Sequence, residues 1–278
     1  MAHWPTYRGF DYFYGFTGSK VDYWNKTKEG IFDLFDQEDA VTDAKEIGTH
    51  NGLLLSQKAV KALEAHALAY NSHTPLFLYY APALVHSPFS NNPAPFSGGC
   101  GSSLGDGTRH DMVLYCEMCL MLDSSVANLS CAVQRLGWAD NTLMIVLSDN
   151  GGASYTPGST YPLRGAKAEL FNGGILGRAI VNSKLLPEST QGSVFGGLSH
   201  LTDWLPTLMR LATNGTWTHK FNGDSIDGVD LWDALLNCTK ETTSNDSPRS
   251  EVLIHVDKNS GMGALIHRCV LGHRYYLQ

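Results

Sequence analysis

The stretch Thr142-Leu143-Met144-Ile145-Val146-Leu147-Ser148-Asp149-Asn150-Gly151-Gly152 joins an apolar run to an acid, an amide and two glycines. The apolar run predicts a buried β-strand, whose end fixes the positions of the Asp149 and Asn150 side chains. The two glycines let the backbone turn away at once and leave room for a ligand. Carboxylate and amide oxygens are hard ligands suited to Ca²⁺, so the motif predicts a cation site. The same pentapeptide, Ser148 to Gly152, is also typical of a simple turn.

Helical and strand patterns alternate along the chain, which predicts an α/β fold with a sheet that has helices on both faces. Helical spacing of apolar residues predicts helices at 51–69, 111–136 and 201–212, with Asn51 and Thr202 as expected caps of the first and third. A buried strand is predicted at 76–80, and further strands at 142–147 and 178–181. Short β segments are expected at 251–256, 263–267 and 274–277.

Shifts in composition divide the chain into three parts. Residues 1–236 are expected to form one α/β domain, and 237–250 to be a polar linker. Residues 251–278 are expected to begin a small C-terminal β subdomain.

The overall composition is that of an ordinary soluble globular protein, with 43% hydrophobic and 17% charged residues. The net charge of −7 argues against a nucleic-acid-binding surface, so an anionic ligand would need a few local cations. No stretch is expected to span a bilayer, and residues 1–15 lack the pattern of a signal peptide. A cluster of Asn-x-Ser/Thr sequons nevertheless predicts a glycosylated secretory protein, at Asn25, Asn128, Asn214, Asn237 and Asn245.

The six cysteines are an even number, which permits disulfides, but their pairing cannot be read from the sequence. Cys116-x-x-Cys119 lies inside the second helical pattern, and no second Cys or His pair stands at zinc-finger spacing. We therefore interpret Cys116 and Cys119 as small core or helix-surface residues rather than as a metal or redox site.

Five motifs follow one another in order along nearly the whole chain. They are Pro5-Thr6-Tyr7-Arg8-Gly9-Phe10-Asp11, Pro75-Leu76-Phe77-Leu78-Tyr79-Tyr80-Ala81-Pro82 with Leu84-Val85-His86-Ser87-Pro88, Ser148-Asp149-Asn150-Gly151-Gly152, Tyr161-Pro162-Leu163-Arg164-Gly165-Ala166-Lys167 with Leu170-Phe171-Asn172-Gly173-Gly174, and His200-Leu201-Thr202-Asp203-Trp204-Leu205-Pro206-Thr207-Leu208. This ordered set resembles the sulfatase family, most closely its arylsulfatase B type. The resemblance implies an alkaline-phosphatase-like α/β fold and the hydrolysis of sulfate esters, in sulfated small molecules or glycans.

The resemblance also implies roles for five residues. Asp149 and Asn150 would bind Ca²⁺, while Lys167 and His86 would contact the sulfate group and take part in catalysis. His86 would donate a hydrogen bond to sulfate, or a proton to the leaving oxygen. Arg164 is either a second cation for the substrate or a structural ion-pair partner. From the residues alone, Lys167 is equally interpretable as a solvated surface lysine and His86 as a satisfied polar group.

Other conspicuous residues are interpreted as structural. His200 and Asp203 are expected to organise the start of a helix, and Asp123 to be a structural acid. Three aromatic residues are expected in the core rather than in a platform for an aryl substrate: Tyr161, Phe171 and Trp204.

The chain departs from the family pattern at the nucleophile, which in sulfatases is a formylglycine made from cysteine in a Cys-x-Pro-Ser-Arg context. None of the six cysteines has that context, and the nearest, Cys100-Gly101-Ser102-Ser103-Leu104, lacks both the proline and the arginine. The paired Asp residues and the Gly-Lys-Trp-His segment of the family are missing as well. We therefore expect an N-terminally truncated form with an incomplete calcium shell and an incomplete C-terminal β region.

Three interpretations of function stay open. The first is an incomplete gene model or splice product of a genuine arylsulfatase, inactive as this isolated chain. The second is a secreted pseudoenzyme that binds sulfated glycans through Lys167, His86 and Arg164 without turnover. The third is a phosphatase-like relative with another nucleophile, for which no serine or threonine stands in a convincing context. The resemblance and the sequons imply a lysosomal or extracellular location, and the sequence does not indicate an oligomeric state.

Overall fold

The computed structural model describes residues 3–70, 74–89, 91–101, 109–218, 220–221, 223–239, 247–259, 262–269 and 272–277. The chain divides into two compact units, Met1–Ala139 and Asp140–Gln278. Both units combine helices with small antiparallel sheets. The three-part division predicted from composition stays a prediction.

The first unit is built around two long helices, which follow a short helix, α1 (Ala44–Ile47). α2 spans Asn51–Ala69 and α3 spans His110–Arg135, each within one residue of its predicted bounds. Short strands precede the helices and pair in the orders β1-β4-β5 and β2-β3. They are β1 Tyr14–Gly15, β2 Thr27–Lys28, β3 Ile31–Phe32, β4 Phe35–Asp36 and β5 Asp39–Ala40.

The core of this unit forms where one face of each long helix is apolar. Met118 and Met121 of α3, three residues apart and therefore on one helix face, are buried against Tyr23 and Leu84. Leu54 of α2 is buried in a second cluster with Leu34 and Val41. Leu84 precedes His86 by two residues and is only 9% exposed. This packing therefore holds the segment that leads to His86.

The N-terminus of α2 is capped by a residue other than the predicted one. The His50 imidazole accepts a hydrogen bond from the Gly52 N–H at 3.1 Å, so the expectation that Asn51 caps the helix is wrong. The Asn51 side chain is fully buried and donates instead to the Asp22 carbonyl oxygen. A helix in this position needs an acceptor for its first N–H groups, and the imidazole supplies it.

Helix α3 is long and apolar enough, by length and composition, to cross a membrane. By length and composition alone, α3 therefore contradicts the expectation that no stretch is long and apolar enough to span a bilayer. The core helix of a soluble protein passes the same test, and α3 buries Leu114, Met118, Met121 and Leu129 in the first unit.

A disulfide joins Cys100 to Cys116 of α3, which corrects the interpretation of Cys116 as a small packing residue. Cys119 is an exposed free thiol whose pKa is raised by partial burial of its sulfur. Next to the disulfide, the buried Glu117 carboxylate accepts hydrogen bonds from the Gly98 N–H at 2.6 Å and the Asn92 amide at 3.1 Å. The disulfide and Glu117 together attach the segment before α3 to this helix.

The segment predicted as a buried strand at 76–80 forms no strand among the described residues. Leu76, Phe77 and Tyr79 are 40%, 63% and 72% exposed, so the prediction is wrong on both counts. An apolar run indicates a strand only where another strand supplies the ladder of hydrogen bonds, and none of the described residues does so here.

The second unit contains the strand that precedes the acid–amide motif. β6 (Met144–Leu147) pairs antiparallel with β7 (Ala179–Asn182), with Met144 opposite Asn182, so both predicted strands form. The expectation that the first strand is buried is wrong, since its first three residues are half-buried and Leu147 is 40% exposed. The predicted C-terminal β segments are also confirmed. They form a three-stranded antiparallel meander of β10 Glu251–Asp257, β11 Met262–Cys269 and β12 Gly272–Leu277. The remaining elements are α4 Asn172–Ile175, α5 Trp204–Ala212, α6 Trp232–Leu236, β8 Lys220–Phe221 and β9 Asp224–Ser225.

The start of α5 is organised by His200 and Asp203, as the sequence predicts. A 3₁₀ turn, Leu201–Asp203, leads into the helix. The Asp203 carboxylate accepts from the His200 N–H at 2.7 Å, while the His200 ring faces the Thr202 N–H, so His200 rather than the predicted Thr202 is the cap. These reciprocal contacts are a capping box.

Asp203 is fully buried and needs more than the cap to offset the loss of hydration. The Arg249 guanidinium supplies the counter-charge, and its Nε donates to both carboxylate oxygens at 3.0 and 2.8 Å. The Val229 N–H donates to the same carboxylate at 2.9 Å. Three distant segments of the second unit therefore meet at one carboxylate.

Replacing Arg249 by alanine should destabilise the second unit by about 3 kcal/mol, because it leaves the buried Asp203 carboxylate without its counter-charge. Chemical denaturation followed by circular dichroism measures the change. Lys184→Ala is the control, since Lys184 pairs with Asp140 at the surface, where both side chains are well exposed. Equal stability losses in the two variants would contradict the assigned role of Arg249.

Candidate functional site

Three backbone segments of the second unit meet at the end of β6, and glycines allow the approach. A Cβ atom on Gly151 would overlap the carbonyl oxygen of Gly173, and one on Gly173 would overlap that of Gly165. At Gly165, where φ is +83°, a Cβ would lie 2.7 Å from the Phe171 Cβ. The backbones of three segments are thus in direct contact: 148–152, 164–167 and 171–174. At the glycines where they touch, any side chain larger than hydrogen would prevent this contact.

Backbone hydrogen bonds fix this arrangement. The Lys167 N–H donates to the Gly152 carbonyl oxygen at 2.9 Å, and the Gly173 N–H donates to the Arg164 carbonyl oxygen at 2.7 Å. The Gly151 N–H donates to the Gly174 carbonyl oxygen at 3.0 Å. The fold therefore brings the segment with Arg164 and Lys167 beside the segment with Asp149 and Asn150, which are distant from it in sequence.

Asp149 and Asn150 follow β6 directly, as predicted, and their side chains interact. The Asn150 amide nitrogen donates to the Asp149 Oδ1 at 2.9 Å and to the Gly151 carbonyl oxygen at 3.3 Å. Asp149 is exposed and Asn150 is half-buried. This arrangement presents a carboxylate and an amide oxygen at the end of a strand held in place by β7.

The chemistry of these two donors fits one side of a divalent cation rather than a whole coordination shell. Ca²⁺ takes six to eight oxygen ligands, of which Asp149 and Asn150 supply two kinds, carboxylate and amide. Among the described residues, no group of three His, Cys, Asp or Glu side chains could hold a metal ion. Asp149 and Asn150 are therefore a partial donor set.

Arg164 and Lys167 lie on a loop, residues 152–167, that is closed by the Lys167–Gly152 hydrogen bond. The Arg164 guanidinium lies over the Phe171 ring at 3.9 Å, a cation–π contact that orients it while its polar edge stays exposed. Lys167 is half-buried. Arg164 and Lys167 are the charged residues of the loop, and the Glu169 carboxylate lies beside it, since a Cβ on Gly165 would be 3.1 Å from its Oε2.

His86 lies in the first unit and is exposed. Its Nδ1 is 2.7 Å from the Ser87 carbonyl oxygen, a contact in which Nδ1 carries the proton and donates. This tautomer leaves Nε2 free to accept a proton or, when the ring is charged, to donate one.

The loop that carries His86 is held by a residue that sequence reasoning missed. The Tyr23 hydroxyl lies 2.7 Å from the Ala83 carbonyl oxygen and 3.0 Å from that of His86. Tyr23 is 1% exposed, and burial raises its pKa, so it stays a neutral donor. No sequence pattern marks Tyr23, because its partners are backbone atoms about sixty residues away.

Two further buried groups support Tyr23. His50 stacks on its ring at 4.8 Å, and burial together with the charge of Lys26 lowers the His50 pKa to about 4. The Lys26 ammonium donates to the carbonyl oxygens of Tyr23 and Trp24, each at 2.9 Å, and to that of Thr49 at 2.5 Å. Burial lowers the Lys26 pKa to about 8. His50 and Lys26 thus hold Tyr23 in the position from which it contacts the loop of His86.

The aromatic residues expected in the core differ in their surroundings. Phe171 and Trp204 are half-buried, and Phe171 carries Arg164 on its face. Tyr161 is 90% exposed, so the expectation that it is a core residue is wrong. It stands in a loop whose backbone, rather than its aromatic ring, makes the packing contacts. Asp123, interpreted as a structural acid, is exposed on α3.

Four of the five predicted glycosylation sites lie at exposed positions of the described residues. Asn25 and Asn214 stand in turns, Asn128 lies on α3 and Asn237 follows α6. Asn245 lies outside the described residues. Glycosylation at all five stays a prediction.

The chain is similar to known proteins along most of its length. The sulfatase family profile matches residues 4–214. Arylsulfatase J of Mus musculus is 32% identical over 259 residues, covering 91% of this chain and 40% of its own length. Arylsulfatase A of Bos taurus is 31% identical over 176 residues, covering 62% of this chain and 31% of its own length. The chain thus spans well under half the length of these relatives.

Solved structures show the same fold. The crystal structure of Ps i-CgsB in complex with k-i-k-neocarrahexaose superposes with a TM-score of 0.76 at 22% identity, covering all of this chain and 61% of that one. The PsFucS1 sulfatase from Pseudoalteromonas sp. superposes with a TM-score of 0.61 at 22% identity, covering 85% of this chain and 46% of that one. These likenesses confirm the predicted α/β fold class.

Gly151→Ala should destabilise the second unit by about 3 kcal/mol, because the new Cβ forces apart two backbones that have no room to yield. Urea denaturation measures the loss. Gly263→Ala is the matched control, since its Cβ would lie at an ordinary 3.5 Å from the His255 carbonyl oxygen. A Gly151→Ala variant as stable as the control would contradict the close backbone packing.

Proposed function

The chain belongs to the sulfatase family, and from this membership we propose that it is part of a sulfuric ester hydrolase of the arylsulfatase type. The proposed substrates are sulfated glycans. The neighbour Ps i-CgsB, crystallised with k-i-k-neocarrahexaose, supports a carbohydrate ligand. Because the chain spans only 40% of the mouse relative, activity and substrate are proposals for the whole protein.

The observation that carries this proposal is the 152–167 loop, tied by its backbone to the Asp149–Asn150 segment. A sulfate ester is a tetrahedral anion, and its transfer develops charge that fixed cations stabilise. Lys167 provides a compact charge, and Arg164 provides a planar set of donors already oriented on Phe171. In a chain of net charge −7, these two cations are the groups that would favour an anion here, beside the carboxylates of Asp149 and Glu169.

We assign His86 the proton transfer of the proposed reaction. Its Nδ1 donates to the Ser87 carbonyl oxygen, so Nε2 is the atom that would hold a proton for the leaving oxygen. The buried contacts of Tyr23 with the Ala83 and His86 carbonyl oxygens support a fixed loop conformation for this task.

Members of the family generally bind a divalent metal, and we propose Ca²⁺ for this protein. Asp149 and Asn150 would hold it through carboxylate and amide oxygens, as hard ligands suit a hard cation. A bound cation supplies charge stabilisation to the sulfate oxygens. Since these two residues fit only one side of the ion, no step of the reaction is assigned to it.

No residue of this chain can be assigned as the nucleophile, because none of its cysteines stands in the Cys-x-Pro-Ser-Arg context. We therefore propose that these 278 residues alone do not turn over a sulfate ester. Binding of sulfated glycans without turnover is the alternative function. This alternative is favoured by the loop that carries Arg164 and Lys167, because the loop is present although the nucleophile motif is not.

We also propose a lysosomal or extracellular location. The Cys100–Cys116 disulfide supports an oxidising compartment during folding, and the exposed sequons support passage through the secretory pathway.

The purified chain should not hydrolyse a chromogenic aryl sulfate, with or without added Ca²⁺, because sulfuryl transfer has no covalent path without a nucleophile. Release of the phenol, followed by absorbance, measures turnover. The control is the double variant Lys167→Ala, His86→Ala. Hydrolysis by the unmodified chain well above that control would show that another residue acts as nucleophile.

The chain should bind a sulfated oligosaccharide more tightly than its desulfated counterpart, and Lys167→Ala should weaken that binding about tenfold, as loss of one charge-assisted contact does. Calorimetric titration at two salt concentrations measures this, and binding should weaken at the higher one. Lys184→Ala, which removes a surface lysine paired with Asp140, is the control. Equal affinity for the two oligosaccharides would refute the proposed sulfate site.

A further inference from the structure

Two tyrosines on the 152–167 loop are not used by the proposed sulfate contacts. Tyr155 and Tyr161 are 82% and 90% exposed. Single exposed aromatic residues are normal on protein surfaces. Two fully presented rings six residues apart on one loop are less easily explained, because each leaves a large apolar face in water.

The loop that carries these rings is held by its own contacts. The Lys167–Gly152 hydrogen bond closes its ends, and the Thr160 hydroxyl donates to the Gly165 carbonyl oxygen at 2.8 Å. The Thr156 hydroxyl donates to the Ala153 carbonyl oxygen at 2.9 Å. A surface loop with joined ends and internal packing is an Ω-loop, a type that is often functional. Its tyrosines are exposed on a fixed backbone, which lowers the entropy that a ligand contact must offset.

Charge complements this aromatic surface. Arg164 and Lys167 stand on the same loop as the tyrosines, and the Glu169 carboxylate lies beside this loop at Gly165. A ligand that fits such a loop has both an anionic group and an apolar face. Sulfated sugars have both, since the C–H face of a pyranose ring is apolar and its sulfate is anionic.

We propose that Tyr155 and Tyr161 form a carbohydrate-stacking platform for the sugar rings of a sulfated glycan whose sulfate group is bound by Lys167 and Arg164. The inference rests on the proposed function and deepens it, because it assigns binding of the sugar to residues other than those that bind sulfate. The tyrosine ring contacts the apolar sugar face, and its hydroxyl can bond to a sugar hydroxyl. The platform would favour an oligosaccharide over inorganic sulfate or a small sulfate ester.

The test measures the affinity of the 278-residue chain for a sulfated chondroitin hexasaccharide, its desulfated counterpart and inorganic sulfate. Tyr155→Ala and Tyr161→Ala should each weaken hexasaccharide binding about five- to tenfold, as expected for loss of one aromatic contact, and leave inorganic sulfate binding unchanged. Tyr161→Phe should restore most of the affinity, because it keeps the ring. Tyr7→Ala, a change of an exposed tyrosine in the first unit, should have no effect.

The outcomes separate this inference from the proposed function. Unchanged hexasaccharide affinity in both tyrosine variants, with a loss in Lys167→Ala, would overturn the platform and leave the sulfate site standing. A loss in the tyrosine variants that extends equally to inorganic sulfate would also overturn the platform, as a general disturbance of the loop. Equal affinity for sulfated and desulfated hexasaccharide, still dependent on Tyr161, would support the platform and refute the sulfate site. Failure of the unmodified chain to bind any of the three would refute both.

Discussion

The backbone contact among Gly151, Gly165 and Gly173 is the constraint on which the candidate site depends. Chains usually approach one another through side chains, which keep their backbones several ångströms apart. Here the missing Cβ atoms let three segments bond directly to one another. The positions of Lys167 and Arg164 relative to the end of β6 follow from that contact. Their placement is a property of the backbone, and it does not depend on how the long side chains themselves pack.

The chemistry of this region is a local exception to the character of the whole chain. A protein of net charge −7 repels anions over most of its surface, so an anion site needs cations that are close together and held in place. The Arg164 guanidinium lies over the Phe171 ring, while the backbone of Lys167 is fixed by its hydrogen bond to Gly152 and its side chain is half-buried. Preorganised charge of this kind stabilises a ligand or transition state without a further reorganisation cost.

Elsewhere, buried polar groups keep functional or structural loops in position. Asp203 holds the start of α5, the Arg249 segment and the Val229 segment together, because a buried carboxylate must have partners. In the first unit, the Lys26 ammonium bonds to three backbone carbonyl oxygens, and Tyr23 bonds to the backbone of the His86 loop. Each group replaces lost hydration with several directed contacts, which hold the loops in position.

The sequence by itself determined the long helices, the strand before the acid–amide motif and the family. Helical spacing of apolar residues is a local signal, and so is a short apolar run followed by Asp149 and Asn150. Both can be recognised in the linear sequence. The ordered motifs also identified Lys167, Arg164 and His86 as candidates. Only the tertiary structure decided the cap of α2, the Cys100–Cys116 pair, the exposure of residues 76–80 and the exposure of Tyr161. The cap of α2 is a local contact, from the Gly52 N–H to the His50 ring, that no standard capping residue announces. The disulfide and the two exposures depend on a partner elsewhere in the chain, or on the absence of one among the described residues. Burial and hydrogen bonding are properties of neighbours in space, which a linear pattern does not contain.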